Sequence, residues 1–443
     1  MMKKILLALL FIPMLSVAQH TISGSFTPAD QFTWCILYKV NSDNYKYVTD
    51  GKVTDGKFSL TLDSTVTKGV YKLVYGIPQE EQNFDIIYNG MEDIELAFSK
   101  TDGLSFIESK DNSVYHDYVK SNFLIDQNIA NAYTSEIPDK ERIQQLYKEK
   151  EQLQKAAEDS LQGAYAESFV IASRQYIPSA FEPFEAYHEN RRLEFFKYMD
   201  PNNPVLQNSG FLLNRFMKYI GTFSLDSEIA SYRELDAIVN LVQNSELPFQ
   251  KNLLYQLWGK LVIQEMPKSA NYLTEKYLLQ LCKTLGDTEV AMKLENFKNT
   301  SIGSLVPNFK WEMDKGGTIE MQELYNYDVA ENYILVFWSS SCSHCLQELP
   351  KLQRFVQTLD EKEYKVVAVG MEDTKYDWKN ETLRYPEFQH ILGLGKWDND
   401  IAKAYSITQT PTFFVLNNDK ILTAKPSGLP ELIEIIAPEK TEK

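Results

Sequence analysis

A strongly apolar run leads directly into a helix-like pattern, and two cysteines lie at the junction between them. Residues 333–338 read YILVFW, which has the length and composition of a buried strand. From Ser343 to Leu359 apolar residues recur at spacings of three and four, which predicts an amphipathic helix. A second apolar strand is predicted at 364–371. Strand, helix and strand in so short a segment form a βαβ unit, which requires a parallel pair of strands and a right-handed crossover.

The rest of the C-terminal region continues this alternation. A third strand is predicted at 388–394, a short helix at 398–405, a hairpin at 412–424 and a closing helix at 429–437. Because the hairpin adds antiparallel strands, the sheet is expected to be mixed, and the predicted class of this region is α/β.

The two cysteines at the junction, Cys342 and Cys345, predict a redox-active pair. Cys342 lies at the helix N-terminus, where free backbone N–H groups and the helix dipole stabilise negative charge. Its thiol is therefore expected to have a lowered pKa and to act as the nucleophile. Cys345 lies one turn further in, close enough to form a disulfide and more shielded, so it is expected to resolve a mixed disulfide. His344 between them either stabilises the thiolate or is simply exposed.

Several linked motifs around this pair resemble those of one family. The pattern of apolar strand, Phe-Trp, paired cysteines, Glu and Pro is met by Phe337, Trp338, Cys342, Cys345, Glu348 and Pro350. Upstream, residues 302–309 resemble the entry segment of that family, and downstream Thr410-Pro411 resembles its cis-proline strand. The segment 302–438 is thus similar to thioredoxin-fold thiol–disulfide oxidoreductases, most closely to the TlpA/ResA-like periplasmic class.

The resemblance implies roles for further residues. Those expected to shape the site and contact the substrate are Trp338, His344, Thr410 and Pro411. The backbone of Thr410 is expected to pair with an extended substrate segment. A cis peptide bond is implied at Pro411, the alternative being an ordinary trans proline at the start of a strand. Glu348 either accepts a proton near the second cysteine, as the resemblance implies, or is a solvated carboxylate on the helix surface.

The sequence departs from thioredoxin itself at two positions. Thioredoxin has a tryptophan directly before the first cysteine, where this chain has Ser341, and a buried aspartate where this chain has Val336. Proton transfer to the second cysteine must therefore use another group, either Glu348 or water. These differences leave the direction of the reaction open among reduction, oxidation and isomerisation.

The surroundings of the cysteines exclude other chemistry for them. A zinc site needs two further ligands, but Cys35 and Cys282 lie in apolar settings typical of inert buried thiols. Covalent haem attachment needs a histidine directly after the second cysteine, and that position is Leu346. No metal and no other cofactor is therefore expected. Pairing of Cys35 with Cys282 is left open, with buried thiols that form no disulfide favoured.

The chain is long enough for several domains, and its composition changes along its length. A basic start, a short apolar stretch and a small-residue cleavage site predict a signal peptide at 1–18. The following region, 19–110, is predicted to be an all-β, sandwich-like domain, 111–300 a helical region and 301–443 the thioredoxin-like domain.

Local patterns predict individual elements in the first two of these regions. Strands are expected at 32–38, 45–49, 57–62, 70–75, 84–88 and 94–98. Asp50-Gly51 and Asp55-Gly56 are expected to be hairpin turns. Helices are expected at 139–175 as one long element, at 245–266 and at 269–286.

The charge balance excludes two classes of partner. The formal net charge is −16, and an acidic surface repels phosphate backbones and anionic lipids. Nucleic acid is therefore not an expected partner, and stable membrane insertion is not expected once the signal peptide is removed. The predicted signal peptide favours export to the periplasm.

Together these features predict an exported enzyme, a thioredoxin-like thiol–disulfide oxidoreductase whose paired cysteines exchange disulfides with protein substrates. Its expected partners are proteins carrying disulfides or dithiols, and a periplasmic or membrane redox protein that supplies or accepts electrons. An alternative is a non-catalytic binding or scaffold protein of the envelope that uses its thioredoxin-like domain for docking. Ser341 and the large portion of the chain without a catalytic motif favour that alternative.

Overall fold

The computed structural model describes residues 20–134, 138–224, 231–314 and 316–437. The chain forms two compact units, residues 1–257 and 258–443. The predicted signal peptide, 1–18, lies outside the described residues. The division into packing units differs from the three regions predicted by composition, because the last helices of the helical region group with the C-terminal unit.

The first unit begins with strands and continues with helices. Its strands are β1 (Thr21–Thr27), β2 (Trp34–Val40), β3 (Tyr45–Lys52), β4 (Lys57–Thr61), β5 (Gly69–Val74), β6 (Asn83–Tyr88), β7 (Ile94–Ser99) and β8 (Gly103–Glu108). Its helices are α1 (Lys110–Thr134), α2 (Lys140–Leu161), α3 (Glu167–Ala172), α4 (Phe184–Glu194), α5 (Pro204–Gln207), α6 (Phe211–Phe223) and α7 (Ser231–Val242). Helix α8 (Leu247–Ile263) contains the boundary between the units.

The second unit alternates helices and strands. Its helices are α9 (Pro267–Leu273), α10 (Leu279–Leu285), α11 (Thr288–Asn299), α12 (Ser343–Val356), α13 (Lys375–Thr382), α14 (Asp400–Ala404) and α15 (Leu429–Ile436). Its strands are β9 (Lys310–Asp314), β10 (Ile319–Glu323), β11 (Asn332–Trp338), β12 (Tyr364–Glu372), β13 (Gln389–Leu394), β14 (Thr412–Asn417) and β15 (Leu422–Ala424). A π-helical turn at Thr274–Leu278 joins α9 to α10.

The N-terminal strands form a sandwich, as predicted. Two four-stranded sheets, ordered β4-β1-β7-β8 and β3-β2-β5-β6, contribute side chains to one apolar core. The core exists because inward positions alternate with outward ones, as the burial of every second residue of β4 shows. The six predicted strands are all present, and β1 and β8 are two strands that the sequence prediction missed.

Two glycine-containing turns were predicted here, and one prediction was wrong. Asp50-Gly51 lies inside β3, where both residues pair with β2. Asp55-Gly56 forms the expected two-residue hairpin loop, and both residues have positive φ angles of 51° and 74°. The local sequence is alike at both places, so it cannot distinguish them. Pairing between strands determines which Asp-Gly pair forms the turn.

The long helix predicted at 139–175 is wrong as a single element. Asp139 caps the start of α2 by accepting a hydrogen bond from the Arg142 backbone. The helix ends at Leu161, since Gly163 takes a left-handed conformation with φ of 75°. A separate helix, α3, begins at Glu167. The prediction missed this break because the helical pattern of the sequence continues there without a proline.

The central sheet of the second unit has five strands in the order β13-β12-β11-β14-β15. Strands β11, β12 and β13 are parallel, whereas β14 and β15 are antiparallel to their neighbours, which confirms the predicted mixed sheet. Strand β11 lies in the middle. Tyr333, Leu335 and Phe337 face one apolar cluster, and their alternating neighbours face a second, so the whole run is buried.

Cys35 and Cys282 are both buried, and within the described residues neither forms a disulfide bond. Burial, together with the nearby charge of Asp50, raises the pKa of Cys35 to about 12. This agrees with inert, core-packed thiols. Among the described residues, no helix has the length and apolar character needed to cross a bilayer.

A single close contact in the sandwich provides a test of its packing. A methyl group added at Gly24 of β1 would lie 2.3 Å from the carbonyl oxygen of Leu96 on β7, its paired residue. We therefore expect Gly24→Ala to destabilise the first unit by about 1–3 kcal/mol and to lower its calorimetric melting temperature. Gly221→Ala is the matched control, because that helical position has open space around it and should not lower the melting temperature. Equal melting temperatures for the two variants would contradict this packing.

Candidate active site

The first cysteine of the pair lies where β11 ends and α12 begins. Cys342 is the N-cap residue of α12, and its sulfur accepts a hydrogen bond from the Cys345 backbone N–H at 3.3 Å. The sulfur also lies 3.5 Å from the carbonyl oxygen of Thr410, to which the thiol can donate. Cys342 is partly exposed, so its sulfur is placed to react.

The surroundings of Cys342 favour its thiolate. Partial burial acts to raise the pKa of Cys342, but hydrogen bonds with the side chains of Cys345 and Thr410 and with the backbone N–H groups of Cys345 and His344 together lower it below its ordinary value. The predicted acidic thiol at the helix N-terminus thus has a definite cause. Free N–H groups of the first helical turn point at the sulfur, as they point at an oxygen in an ordinary cap.

The second cysteine has the opposite character. Cys345 is completely buried in the apolar cluster between the sheet and α12, where it packs with Leu349 and Trp338. Burial, with the adjacent Cys342 as a further cause, raises the pKa of the Cys345 thiol to about 12. The Cys342 thiol therefore ionises at a lower pH than the Cys345 thiol, which remains protonated at neutral pH.

The peptide bond between Thr410 and Pro411 is cis. Both residues are partly exposed, and β14 begins directly after them and pairs with β11. This pairing brings the Thr410 carbonyl against the Cys342 sulfur, although the two residues are 68 positions apart. The cis bond that the resemblance implied is present.

Trp338 is placed differently from the prediction. Its side chain has no exposed surface and lies in the same cluster as Cys345, on the inner side of the sheet. A direct contact between Trp338 and a substrate is therefore wrong for this structure. The reason is that both faces of β11 are covered, and alternation along the strand directs Trp338 and Val336 into the cluster that contains Cys345.

His344 and Glu348 also have definite positions. The His344 side chain is exposed, and the group that faces the Cys342 sulfur is its backbone N–H. Glu348 is 9% exposed, so the alternative of a solvated surface carboxylate is wrong. Its carboxylate accepts a hydrogen bond from Lys351 at 2.8 Å. Because Glu348 follows Cys345 by three positions in α12, the two residues are neighbours on one side of the helix.

Sequence analysis missed one buried acid beside the cysteine loop. Glu372, at the end of β12, is 4% exposed and accepts hydrogen bonds from the Ser340 backbone at 2.5 Å and from the Ser340 hydroxyl at 2.9 Å. Ser339 and Ser341 are linked to each other at 3.0 Å in the same loop. A signal was available, because parallel strands end at one edge of the sheet and Glu372 follows directly on the predicted strand 364–371.

The pKa shifts of the pair predict distinct alkylation profiles. A reduced sample treated with iodoacetamide should be labelled at Cys342 with a pH midpoint below that of an ordinary cysteine, about 8.5. The sign follows because the reactive form is the thiolate, and a lowered pKa gives more of it at a lower pH. Cys345 should remain unlabelled to beyond about pH 10, since its pKa is about 12. Peptide mass spectrometry checks both sites, and equal labelling of the two would contradict the assignment.

The contacts of Glu372 predict a structural role for it. Glu372→Ala should destabilise the second unit by about 1–3 kcal/mol, because it leaves the half-buried N–H and hydroxyl of Ser340 without their acceptor. Glu372→Gln should recover part of the loss, since its amide oxygen can still accept. Asp373→Ala is the matched control, because Asp373 is exposed and pairs with Lys396 at the surface. Calorimetry measures the loss, and a cost no larger than that of the control would contradict the role.

The C-terminal region is similar to known proteins. Residues 331–422 match the model of a protein family described as thioredoxin-like. A thiol-disulfide oxidoreductase ResA of Bacillus cereus is 26% identical over 151 residues, which are 34% of this chain and 84% of that protein. The ResA of Bacillus subtilis is 27% identical over 171 residues, which are 37% of this chain and 92% of that protein.

Two solved structures align with parts of this chain. A domain of a possible thiol-disulfide isomerase from Cytophaga hutchinsonii is 28% identical and covers 31% of this chain and 92% of its own, with a TM-score of 0.27. A thioredoxin-like protein from Bacteroides caccae is 14% identical and covers 60% of this chain and 97% of its own, with a TM-score of 0.40. The family match and the sheet order described above show a multi-domain protein whose C-terminal domain has a thioredoxin-like fold, and this domain is similar to the ResA proteins.

Proposed function

We propose that this protein is a periplasmic thiol–disulfide oxidoreductase that exchanges disulfides with protein substrates through Cys342 and Cys345. The observation that carries the proposal is the asymmetry of the pair. One sulfur is partly exposed, hydrogen-bonded by the helix N-terminus and of lowered pKa, and its partner is buried with a pKa of about 12. An attacking and a resolving thiol need these two environments.

In the reducing direction, the Cys342 thiolate attacks one sulfur of a substrate disulfide. The substrate S–S bond breaks, a mixed disulfide forms, and the second substrate sulfur leaves as a thiolate. Cys345 then loses its proton and attacks the Cys342 sulfur, which releases the first substrate sulfur. The substrate gains two electrons, and the cysteine pair becomes a disulfide. Oxidation of a substrate dithiol follows the same steps in reverse.

Removal of the Cys345 proton is the demanding step, because the pKa of this thiol is about 12. Glu348 is the proposed proton acceptor. It is a buried carboxylate in the same helix, three residues after Cys345, and Lys351 holds it by a hydrogen bond. A base near a buried thiol can raise the rate of the resolving step without changing the nucleophile.

Substrate recognition is proposed to use the backbone beside Pro411. The Thr410 carbonyl already lies against the Cys342 sulfur, so an extended segment pairing there would bring its own sulfur to the nucleophile. His344 is exposed beside the pair and is proposed to contact the substrate at the rim. Trp338 is proposed to support Cys345 from within the core.

The working arrangement within the cell is also part of the proposal. Residues 1–18 would act as a cleaved signal peptide that exports the chain, and 301–443 would be the catalytic domain. A periplasmic or membrane redox protein would restore the pair after each turnover, because the cysteines by themselves carry a single pair of electrons. No metal or other cofactor is needed for this exchange.

Trapping of intermediates tests the proposal. The full chain should reduce insulin in the presence of a dithiol, Cys342→Ser should abolish turnover, and Cys345→Ser should accumulate mixed disulfides, because the resolving thiol is missing. Cys35→Ser is the matched control, since its thiol lies in the sandwich core and should leave turnover unchanged. Mass spectrometry identifies the trapped partners. Absence of turnover with every model disulfide, together with no trapped partner in cells, would favour the alternative of a non-catalytic docking protein.

A further inference from the structure

The first unit contains a cavity of about 600 Å³ that the proposed redox function does not use. It lies between strands of the sandwich and helices α1, α3 and α6. Its walls are mainly aromatic and apolar, and include Phe106, Tyr115, Tyr118, Phe169 and Phe211. This size and lining are those of small-molecule sites, which commonly measure roughly 300–1,000 Å³ and hold a few polar groups.

One side of the cavity is accessible from solvent. Val119 and Phe123 of α1 line it and are 46% and 56% exposed. Exposed apolar side chains at the mouth of an apolar cavity give a ligand a path that requires no opening of the core. The cavity is therefore available to a molecule from solution.

A buried arginine in the cavity wall lacks the partner that its charge requires. Arg215 is 7% exposed, its guanidinium lies 4.0 Å from the ring centre of Phe195, and its Nη2 donates to the Phe195 carbonyl at 3.2 Å. Its Nε has no hydrogen-bond acceptor, and Asp126, the carboxylate whose charge acts on Arg215, is shared with Lys150 and Lys218. Burial lowers the pKa of Arg215 to about 10, so the group is still charged at neutral pH. An unpaired buried charge is costly unless an anion accompanies it.

The neighbouring groups leave this region with an excess of positive charge. Lys218 also lines the cavity, and its nearest carboxylate is Asp126 at 3.8 Å. Asp126 is already the hydrogen-bonded partner of the buried Lys150. Asp85, the acid among the described residues that line the cavity, pairs with Lys72 at 2.7 Å. The carboxylates are thus engaged, and the cavity presents cations in a chain whose net charge is −16.

We propose that this cavity binds an amphipathic small molecule that carries a single carboxylate on an apolar body. The guanidinium of Arg215 would take the carboxylate, with Lys218 as a second cation, and the aromatic walls would take the apolar body. Asn122, 8% exposed with an unpartnered Oδ1, offers an acceptor for a hydroxyl or N–H on the same ligand. Aliphatic and aromatic acids both combine a carboxylate with an apolar body. Competition binding with one acid of each kind identifies which body the cavity prefers.

The test uses the full chain and 11-(dansylamino)undecanoate as a fluorescent probe. We expect saturable binding of one probe per chain and displacement by dodecanoate or by 3-indolepropionate, according to which body fits. Dodecan-1-ol, which has the apolar chain without the charge, should compete at least tenfold more weakly. Absence of saturable binding, or equal competition by the alcohol and the acid, would overturn the proposal.

Three variants locate the binding. Arg215→Gln should weaken the probe at least tenfold, because it removes the charge-assisted hydrogen bonds. Val119→Trp should weaken it by filling the mouth at an exposed position, which keeps the test valid if the arginine variant fails to fold. Lys148→Gln, at an exposed cation of α2 outside the cavity, should bind as the unchanged chain does. Unchanged affinity in Val119→Trp, or in a folded Arg215→Gln, would place the probe elsewhere and overturn the proposal.

Discussion

The hydrogen bond from the Cys345 backbone to the Cys342 sulfur is the interaction on which the proposed redox site depends. It exists because Cys342 takes the N-cap position of α12, where an oxygen-bearing side chain is common. The same N–H groups complete the helix and stabilise a negative sulfur. The same N–H groups therefore cap the helix and activate the thiol. The position of Cys342 depends on where β11 ends.

The central sheet determines where β11 ends. Strand β11 is buried on both faces and paired on both edges, so its last residue has little freedom. Strand β12 ends beside it with Glu372, which holds Ser340, and β14 starts beside it with the cis peptide at Pro411. The ends of three strands thus position the cysteine loop and the Thr410 carbonyl that contacts the Cys342 sulfur. Burial explains why the two thiols differ in pKa. Cys342 lies at the edge of the sheet and is partly exposed, whereas Cys345 and Trp338 lie in the core.

In the first unit, the sandwich core and the region around α1 and α6 differ in how their buried polar groups are paired. Its sandwich core is apolar and aromatic, and Cys35 there is an ordinary core residue. Around α1 and α6, by contrast, the buried cations Lys150 and Arg215 share one nearby carboxylate, Asp126, and Arg215 keeps an unpartnered Nε. Folded proteins rarely leave such groups unsatisfied, so this region is where a bound molecule would complete the structure.

The sequence by itself determined the elements whose signals are local. The YILVFW run and the spacing of apolar residues after Ser343 predicted the strand and the helix, and they placed the two cysteines at the junction, since each signal depends on neighbours within one turn or one strand. The six predicted strands of the sandwich were found for the same reason. The cis bond at Pro411 followed from family resemblance, because no local pattern distinguishes it from a trans bond.

Tertiary structure alone decided the features that join distant parts of the chain. Glu372 reaches Ser340 across 32 positions, and Thr410 reaches Cys342 across 68. The inward side of Trp338, the break of the predicted long helix at Gly163 and the isolation of Arg215 likewise depend on which surfaces meet. Burial and hydrogen-bond partners depend on which residues pack together in space. These contacts cannot be read from the order of residues along the chain.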